Sequence, residues 1–224
     1  MRTIKKVASH IFIDGFGGMT QGLFATLIIG TMIQQIGLLI GGSTGNVIYL
    51  LGKAAAALTS AGIGVGVAVK YGESPLVTVS AAVAAMVGGY AGKITGGTFF
   101  VDGNAVLAGP GEPLGAFIAA FAGITCGHLV SGKTKVDIVT PVITIGAGSV
   151  VGLLVGPPIS QMMTGLGSII NWATEQRPFI MGIVVSVVMG MVLTLPISSA
   201  ALGIILNLSG LAAGAATIGC CCNM

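Results

Sequence analysis

Gly109-Pro110-Gly111-Glu112-Pro113-Leu114-Gly115 holds three glycines, two prolines and one carboxylate in seven residues. Proline removes a backbone donor and glycine allows backbone angles that other residues avoid, so no regular helix passes through this stretch. It sits between long apolar runs, about Pro75 to Gly92 before it and about Leu114 to Val130 after it. An acid on broken backbone beside apolar helices is where a polar solute is best met.

Outward from that break, the whole chain has the composition of a membrane protein. Its 224 residues are 54% hydrophobic and 7% charged, with a mean hydropathy of +1.03. Soluble domains carry roughly 25% charged residues, so a soluble fold of this size could not cover its surface. Thirty-eight glycines would weaken soluble helices, but in a bilayer small residues let helix backbones approach closely. A β-barrel is excluded, because it needs alternating segments of about ten residues and the apolar runs here are continuous. The expected fold is all-α and integral to the membrane. It is a polytopic bundle of about seven transmembrane helices with two interfacial amphipathic helices. The net charge of +3 comes without a basic patch interleaved with aromatics, so no nucleic-acid partner is expected. Cys126 and the run Cys220-Cys221-Cys222 lack the CxxC spacing of a zinc site, and helix bundles do not use disulfide frameworks.

Taken in order, residues 1–17 open with Arg2, Lys5 and Lys6. Ile4, Val7, Ala8, Ile11 and Phe12 fall on one helical face, which predicts an interfacial helix. Asp14 interrupts the apolar region and no clear small-residue cleavage site follows, which argues against a cleaved signal peptide. Residues 19–156 hold five spans. Span 1 runs from about Met19 to Gly41, followed by a turn at Gly42-Ser43-Thr44-Gly45. Span 2 runs from about Asn46 to Val69. Lys53 inside it either snorkels to the interface or faces the bundle interior, and Gly62 to Gly66 is loose enough to bend. Span 3 runs from about Pro75 to Gly92. Residues 94–113 form a loop that either dips into the protein or lies exposed. Span 4 covers about Leu114 to Val130 and span 5 about Ile138 to Gly156, where Pro157-Pro158 stops it. Residues 157–177 read as a second interfacial helix with Trp172 at headgroup level and Glu175 and Arg177 as surface anchors. Spans 6 and 7 fill 179–219, with a break at Pro196.

With the N-terminus in the cytoplasm, Arg2, Lys5, Lys6, Lys70, Lys133 and Lys135 are all cytoplasmic, while Lys93 and Arg177 fall outside. That asymmetry supports an N-inside orientation, which puts residues 109–115 at the outer face. Gly37-Leu38-Leu39-Ile40-Gly41 and Gly152-Leu153-Leu154-Val155-Gly156 form a weak internal repeat, a pattern that transporters often carry. There is no Walker A motif, dinucleotide fingerprint, HExxH or nucleophile elbow. No catalytic residue, metal ligand or cofactor is therefore assigned. Glu112 is the candidate substrate-binding residue, with Asn104 and His128 as weaker ones.

Several runs resemble a known family. They are Gly111-Glu112-Pro113-Leu114-Gly115-Ala116-Phe117, Leu129 to Asp137, Gly152 to Ser160, Ile169 to Glu175 and Thr194 to Ala201. Together they resemble the IIC-type membrane proteins of the bacterial phosphotransferase system, more narrowly a subfamily described as toxin regulators. The resemblance covers nearly the whole chain and implies a single IIC-like transmembrane domain over 1–224. It implies a multi-pass protein of the bacterial plasma membrane that binds and translocates a sugar. A separate IIB protein, charged by IIA, would phosphorylate that sugar. It also implies a homodimer. Members of the family are longer, so the chain is expected to lack the C-terminal part. A non-phosphorylating solute transporter or a regulatory membrane sensor with the same fold is the alternative.

Overall fold

The structure, a computed structural model, describes residues 14–101, 104–107, 109–132, 138–193 and 210–221. Residues 1–13 of the interfacial helix expected at 1–17, the basic loop 133–137, the Pro196 break and the first half of span 7 lie outside those residues, and Phe16 and Gly17 belong to the first membrane helix. The described chain is mostly helical, with one small hairpin and short turns and loops between the helices. It divides into two compact units, Met1–Pro158 and Ile159–Met224.

The first unit begins with a long apolar run, Phe16–Ile40. It contains α1 (Phe16–Leu23), a π-helical turn (Phe24–Ile28) and α2 (Ile29–Ile40). Gly41 and Gly42, both with positive φ near +65°, turn the chain back. α3 (Gly42–Ala57) and α4 (Thr59–Lys70) return along it, bent by 51° at Leu58. The two legs close on glycine. Gly18 lies against Gly66 and Val67, Gly22 against Gly62, Gly30 against Gly52 and Ala56, and Gly37 against Gly45 and Tyr49. A Cβ on any of these four would come under 3.0 Å from its partner's backbone. Such close approach is how helices associate where the surroundings are as apolar as the side chains.

The sequence allows a bend at Gly62–Gly66 and puts a turn at 42–45; the structure bends at Leu58 instead and is already helical from Gly42. Gly62, Gly64 and Gly66 are packed against Gly22, Ala81 and Gly18, so they are held inside a straight helix. The chain instead tightens at Leu58, whose N–H reaches Ala55 O at 3.2 Å. Helix α3 already starts at Gly42. Lys53 is exposed, in keeping with a side chain that reaches outward.

α5 (Pro75–Gly89) starts with Ser74 accepting from Val77 N and with Pro75 in the first turn, where a missing donor costs least. It ends at Tyr90, and the short α6 (Ala91–Thr95) follows. β1 (Phe100–Val101) and β2 (Asn104–Ala105) pair antiparallel, Phe100 with Ala105 and Val101 with Asn104. Residues 104–107 are exposed and 110–112 half-buried, so the 94–113 segment is both an exposed loop and, at its end, an inserted one. α7 (Pro113–Val130) matches the expected span 4. Its inner face is Gly115, Ala116, Ala119, Ala120, Gly123 and Gly127, packed on α5 and α4. Large apolar side chains such as Leu39, Val79 and Leu154 point outward, the arrangement expected when the solvent is hydrocarbon.

α8 (Val139–Gln176) carries a correction. Pro157-Pro158 does not stop the helix, and 157–176 is its continuation rather than a separate interfacial helix. Two prolines remove the donors that would meet the Leu153 and Leu154 carbonyls. Helices in apolar surroundings tolerate this because neighbouring groups can satisfy the freed carbonyls. The boundary between the compact units falls at Pro158. The repeat motif also diverges here: Gly41 ends α2, whereas Gly156 lies inside α8.

In the second unit, α9 (Pro178–Leu193) packs on α10 (Gly210–Cys221). Val185, Ala215 and Ala216 form a small core with Ile170 against it, and Ser186 Oγ donates to Ala215 O at 2.7 Å. Trp172, Glu175 and Arg177 are exposed. Three described helices are long and apolar enough to cross a membrane, or four with the bent pair as one span; Pro75–Gly89 and Pro178–Val187 are shorter apolar helices.

Candidate functional site

Three backbone breaks meet around Glu112. The first lies between α3 and α4, at Ala57 and Leu58. The second is Tyr90, between α5 and α6. The third is the loop 109–112 that leads into α7. Each exists because the local sequence cannot continue a helix or because a tertiary bond captures its carbonyls. Proline and glycine fix the loop, where Gly109 and Gly111 have φ of +79° and +74°. Gly111 must be glycine for a second reason, because a Cβ there would lie 2.5 Å from Ser60 Oγ.

Hydrogen bonds tie the breaks together. Glu112 N–H donates to Gly89 O at 2.6 Å. Ser60 Oγ donates to Pro110 O at 3.0 Å. The Tyr90 hydroxyl reaches Gly109 O at 2.5 Å and Ala57 O at 3.1 Å. Ser60 is fully buried and Tyr90 is 1% exposed, so these bonds form away from solvent. Glu112 caps α7 in extended conformation, but its side chain makes no capping bond. Its Oε1 is buried and accepts no hydrogen bond. Burial pushes the carboxyl up to about 7 from its usual 4.5. A carboxyl near that value exchanges its proton at neutral pH. When protonated it donates one hydrogen bond and accepts others.

The other two residues singled out by sequence do not join Glu112 in one constellation. Asn104 lies exposed on β2. His128 lies at the opposite end of α7, roughly 24 Å away by a helical rise of about 1.5 Å per residue. There its Nδ1 is 2.9 Å from Glu73 Oε1, with the imidazole 71% exposed and the Glu73 side chain only 8%. Ser74 and Ser131 hydroxyls lie 3.3 Å apart beside them. This second polar cluster latches the α4–α5 turn to the end of α7.

Sequence reasoning missed Ser60 and Tyr90. Their signals were present: Thr59-Ser60 is a polar pair inside an apolar span, and Tyr90 follows Gly88-Gly89 at the end of another. What the sequence could not supply was their meeting with a loop 50 residues from Ser60. Among the described residues no group of three His, Cys, Asp or Glu could hold a metal ion. One carboxyl with hydroxyls and carbonyls around it is suited to binding a hydroxyl-rich solute.

A family model described as "Phosphotransferase system, EIIC" matches residues 13–224 of the chain. No curated protein and no solved structure shows a significant match.

Proposed function

Because this chain belongs to the EIIC family of the phosphotransferase system, and is thereby a multi-pass membrane protein of a transport system, we propose that it is the permease component that binds a sugar. The sugar would be translocated and phosphorylated by a separate IIB protein, itself charged by IIA. The observation that supports this reading is the half-buried Glu112 carboxyl, one oxygen of which is buried without a hydrogen bond, where three helix breaks meet. Sugar hydroxyls both donate and accept, as does a carboxyl that titrates near neutral pH. Broken helices are also where transporters place their sites.

The proposal extends to arrangement. A single IIC-like domain of about seven spans, with an N-terminal interfacial segment, lies N-inside in the bacterial plasma membrane. The Glu73–His128 end then faces the cytoplasm, where IIB arrives, and Glu112 lies toward the outer face as a gating or capture residue. Asn104, on the exposed hairpin, and His128, at the opposite end of α7, stand apart from Glu112 and in this reading would meet the sugar only at other points of its path. The assembly is a homodimer by family resemblance, and a monomer in a native-lipid mass measurement would count against it.

Uptake of radiolabelled sugars into cells or vesicles tests the function. Uptake should require phosphoenolpyruvate and the general phosphotransferase proteins, and should fall when Glu112 is changed to Gln. Uptake that persists without those proteins would support a non-phosphorylating transporter. No uptake under either condition would favour a regulatory sensor.

A further inference from the structure

We propose that the π-helical turn Phe24–Ile28 and the break at Leu58 form one composite hinge, and that the Tyr90 hydroxyl couples this hinge to the loop carrying Glu112. The two defects lie opposite each other. Gly22 packs on Gly62, and Gly30 packs on Gly52 and Ala56. In this antiparallel register the turn at 24–28 faces the chain around Leu58. A kink in only one leg would be resisted by the straight helix beside it. Here both legs carry an irregularity at one level. π-turns and breaks are where the helical ladder is locally weakest.

The parts on either side of the hinge are each zipped. Gly18 with Gly66 and Gly22 with Gly62 hold one side; Gly30 with Gly52 and Gly37 with Gly45 hold the other. The limb formed by α2 and α3 packs chiefly on itself. Its buried residues are Gly30, Gly37, Gly45, Gly52 and Ala56, all at or beside the contact between the legs. Its outer residues are exposed, Leu39 at 87%. The limb can therefore tilt as one body without unpacking a core.

The coupling is chemical. A phenol carries one proton, and the Tyr90 hydroxyl faces two carbonyls, Ala57 O at the hinge and Gly109 O on the loop. A full bond to one weakens the bond to the other. Tilting the limb moves Ala57 and so changes how firmly Tyr90 holds Gly109, three residues from Glu112. Tyr90 is thus a positioning residue. The functional meaning of the coupling rests on the reading of Glu112 as a solute contact, but the hinge does not.

The test uses the full chain in lipid nanodiscs, with the native cysteines replaced and spin labels at Leu39→Cys and Val79→Cys, both exposed positions. Pulsed electron resonance should give a broad or two-peaked distance distribution. Tyr90→Phe should shift its populations and speed amide exchange at 109–112 by roughly 2- to 10-fold. Ser60→Ala, which loosens the same loop without touching the hinge, should speed that exchange and leave the distances unchanged. In the wild type alone, limb population and loop exchange should change together across a temperature series. A single narrow distance overturns the hinge. Independent temperature responses, or unchanged distances and loop exchange in Tyr90→Phe, overturn the coupling. Absence of phosphoenolpyruvate-dependent uptake alongside a moving limb would fault the sugar-permease reading and leave the hinge standing.

Discussion

The two ends of α7 carry the same kind of group in opposite circumstances. At one end Glu112 has a buried carboxyl oxygen with no hydrogen bond. At the other, the Glu73 side chain is only 8% exposed, but an exposed imidazole sits 2.9 Å from it. A buried acid with a partner is a fastening, because its desolvation is offset where it stands. A buried acid without one is costly, and the cost is tolerated where another molecule supplies the partner. The loop geometry agrees. Gly111 and Gly132 both have φ near +75°, yet Gly111 abuts Ser60 whereas Gly132 has open space around it.

That pair of glycines gives the largest expected effect. Gly111→Ala adds left-handed strain and drives a methyl into Ser60 Oγ, displacing its bond to Pro110. Together these should cost about 2–3 kcal/mol of stability. Gly132→Ala adds only the strain, about 1–2 kcal/mol. Denaturant unfolding in detergent compares them. Equal losses would mean that the loop 109–112 is not seated as described.

Next in size is the pH response. Since burial raises the Glu112 carboxyl from 4.5 to about 7, the folded chain binds that proton more tightly than the unfolded chain. The stability contributed is full below about pH 4.5 and is lost as pH rises through about 7. After allowance for partial solvent access, the change is on the order of 1–2 kcal/mol. Glu112→Gln should flatten this slope. A slope that survives in Glu112→Gln would place the titrating group elsewhere.

The same contrast separates what was legible in the sequence from what was not. α7 could be bounded almost to the residue, because Pro113 and the glycines before it are local signals and Ser131-Gly132 ends the run. Glu112 could be singled out because an acid in so apolar a chain is conspicuous. The break at Leu58 could not be found, since neither glycine nor proline marks it. It is held by the Tyr90 hydroxyl, which reaches the Ala57 carbonyl from a distant segment. The glycines at 62–66 misled for a related reason. Local flexibility pointed to a bend, but close packing against α1 and α5 uses them to hold the helix straight. Pro157-Pro158 misled in the opposite sense, because the penalty for interrupting a helix depends on what else can meet the freed carbonyls.

A smaller effect should follow at the fastened end. His128→Ala removes a mostly exposed partner, so the loss should be about 0.5–1 kcal/mol, with water replacing the imidazole at Glu73. Sugar uptake should change little in this variant if Glu112 alone marks the solute contact. A large drop in uptake with normal stability would move His128 from fastening to function and erase the distinction between the two ends.

The smallest effect concerns the hydroxyl pair beside it. Ser74 and Ser131 lie 3.3 Å apart, long for an O–H···O bond, and Ser74 also accepts from Val77 N. Ser131→Ala therefore leaves Ser74 with its capping role and should cost about 0.5 kcal/mol or less. Ser74→Ala loses both the Ser131 contact and the N-cap bond from Val77 N, which at 3.5 Å is also long, and should cost about 0.5–1 kcal/mol. The difference between these variants measures how much of the latch is cross-helix fastening and how much is the local start of α5. Equal losses would make Ser131 the dominant partner and the latch a tertiary device. Both serine contacts are long, 3.3 Å to Ser131 and 3.5 Å to Val77 N, which leaves the Glu73–His128 pair at 2.9 Å as the main link across the helices.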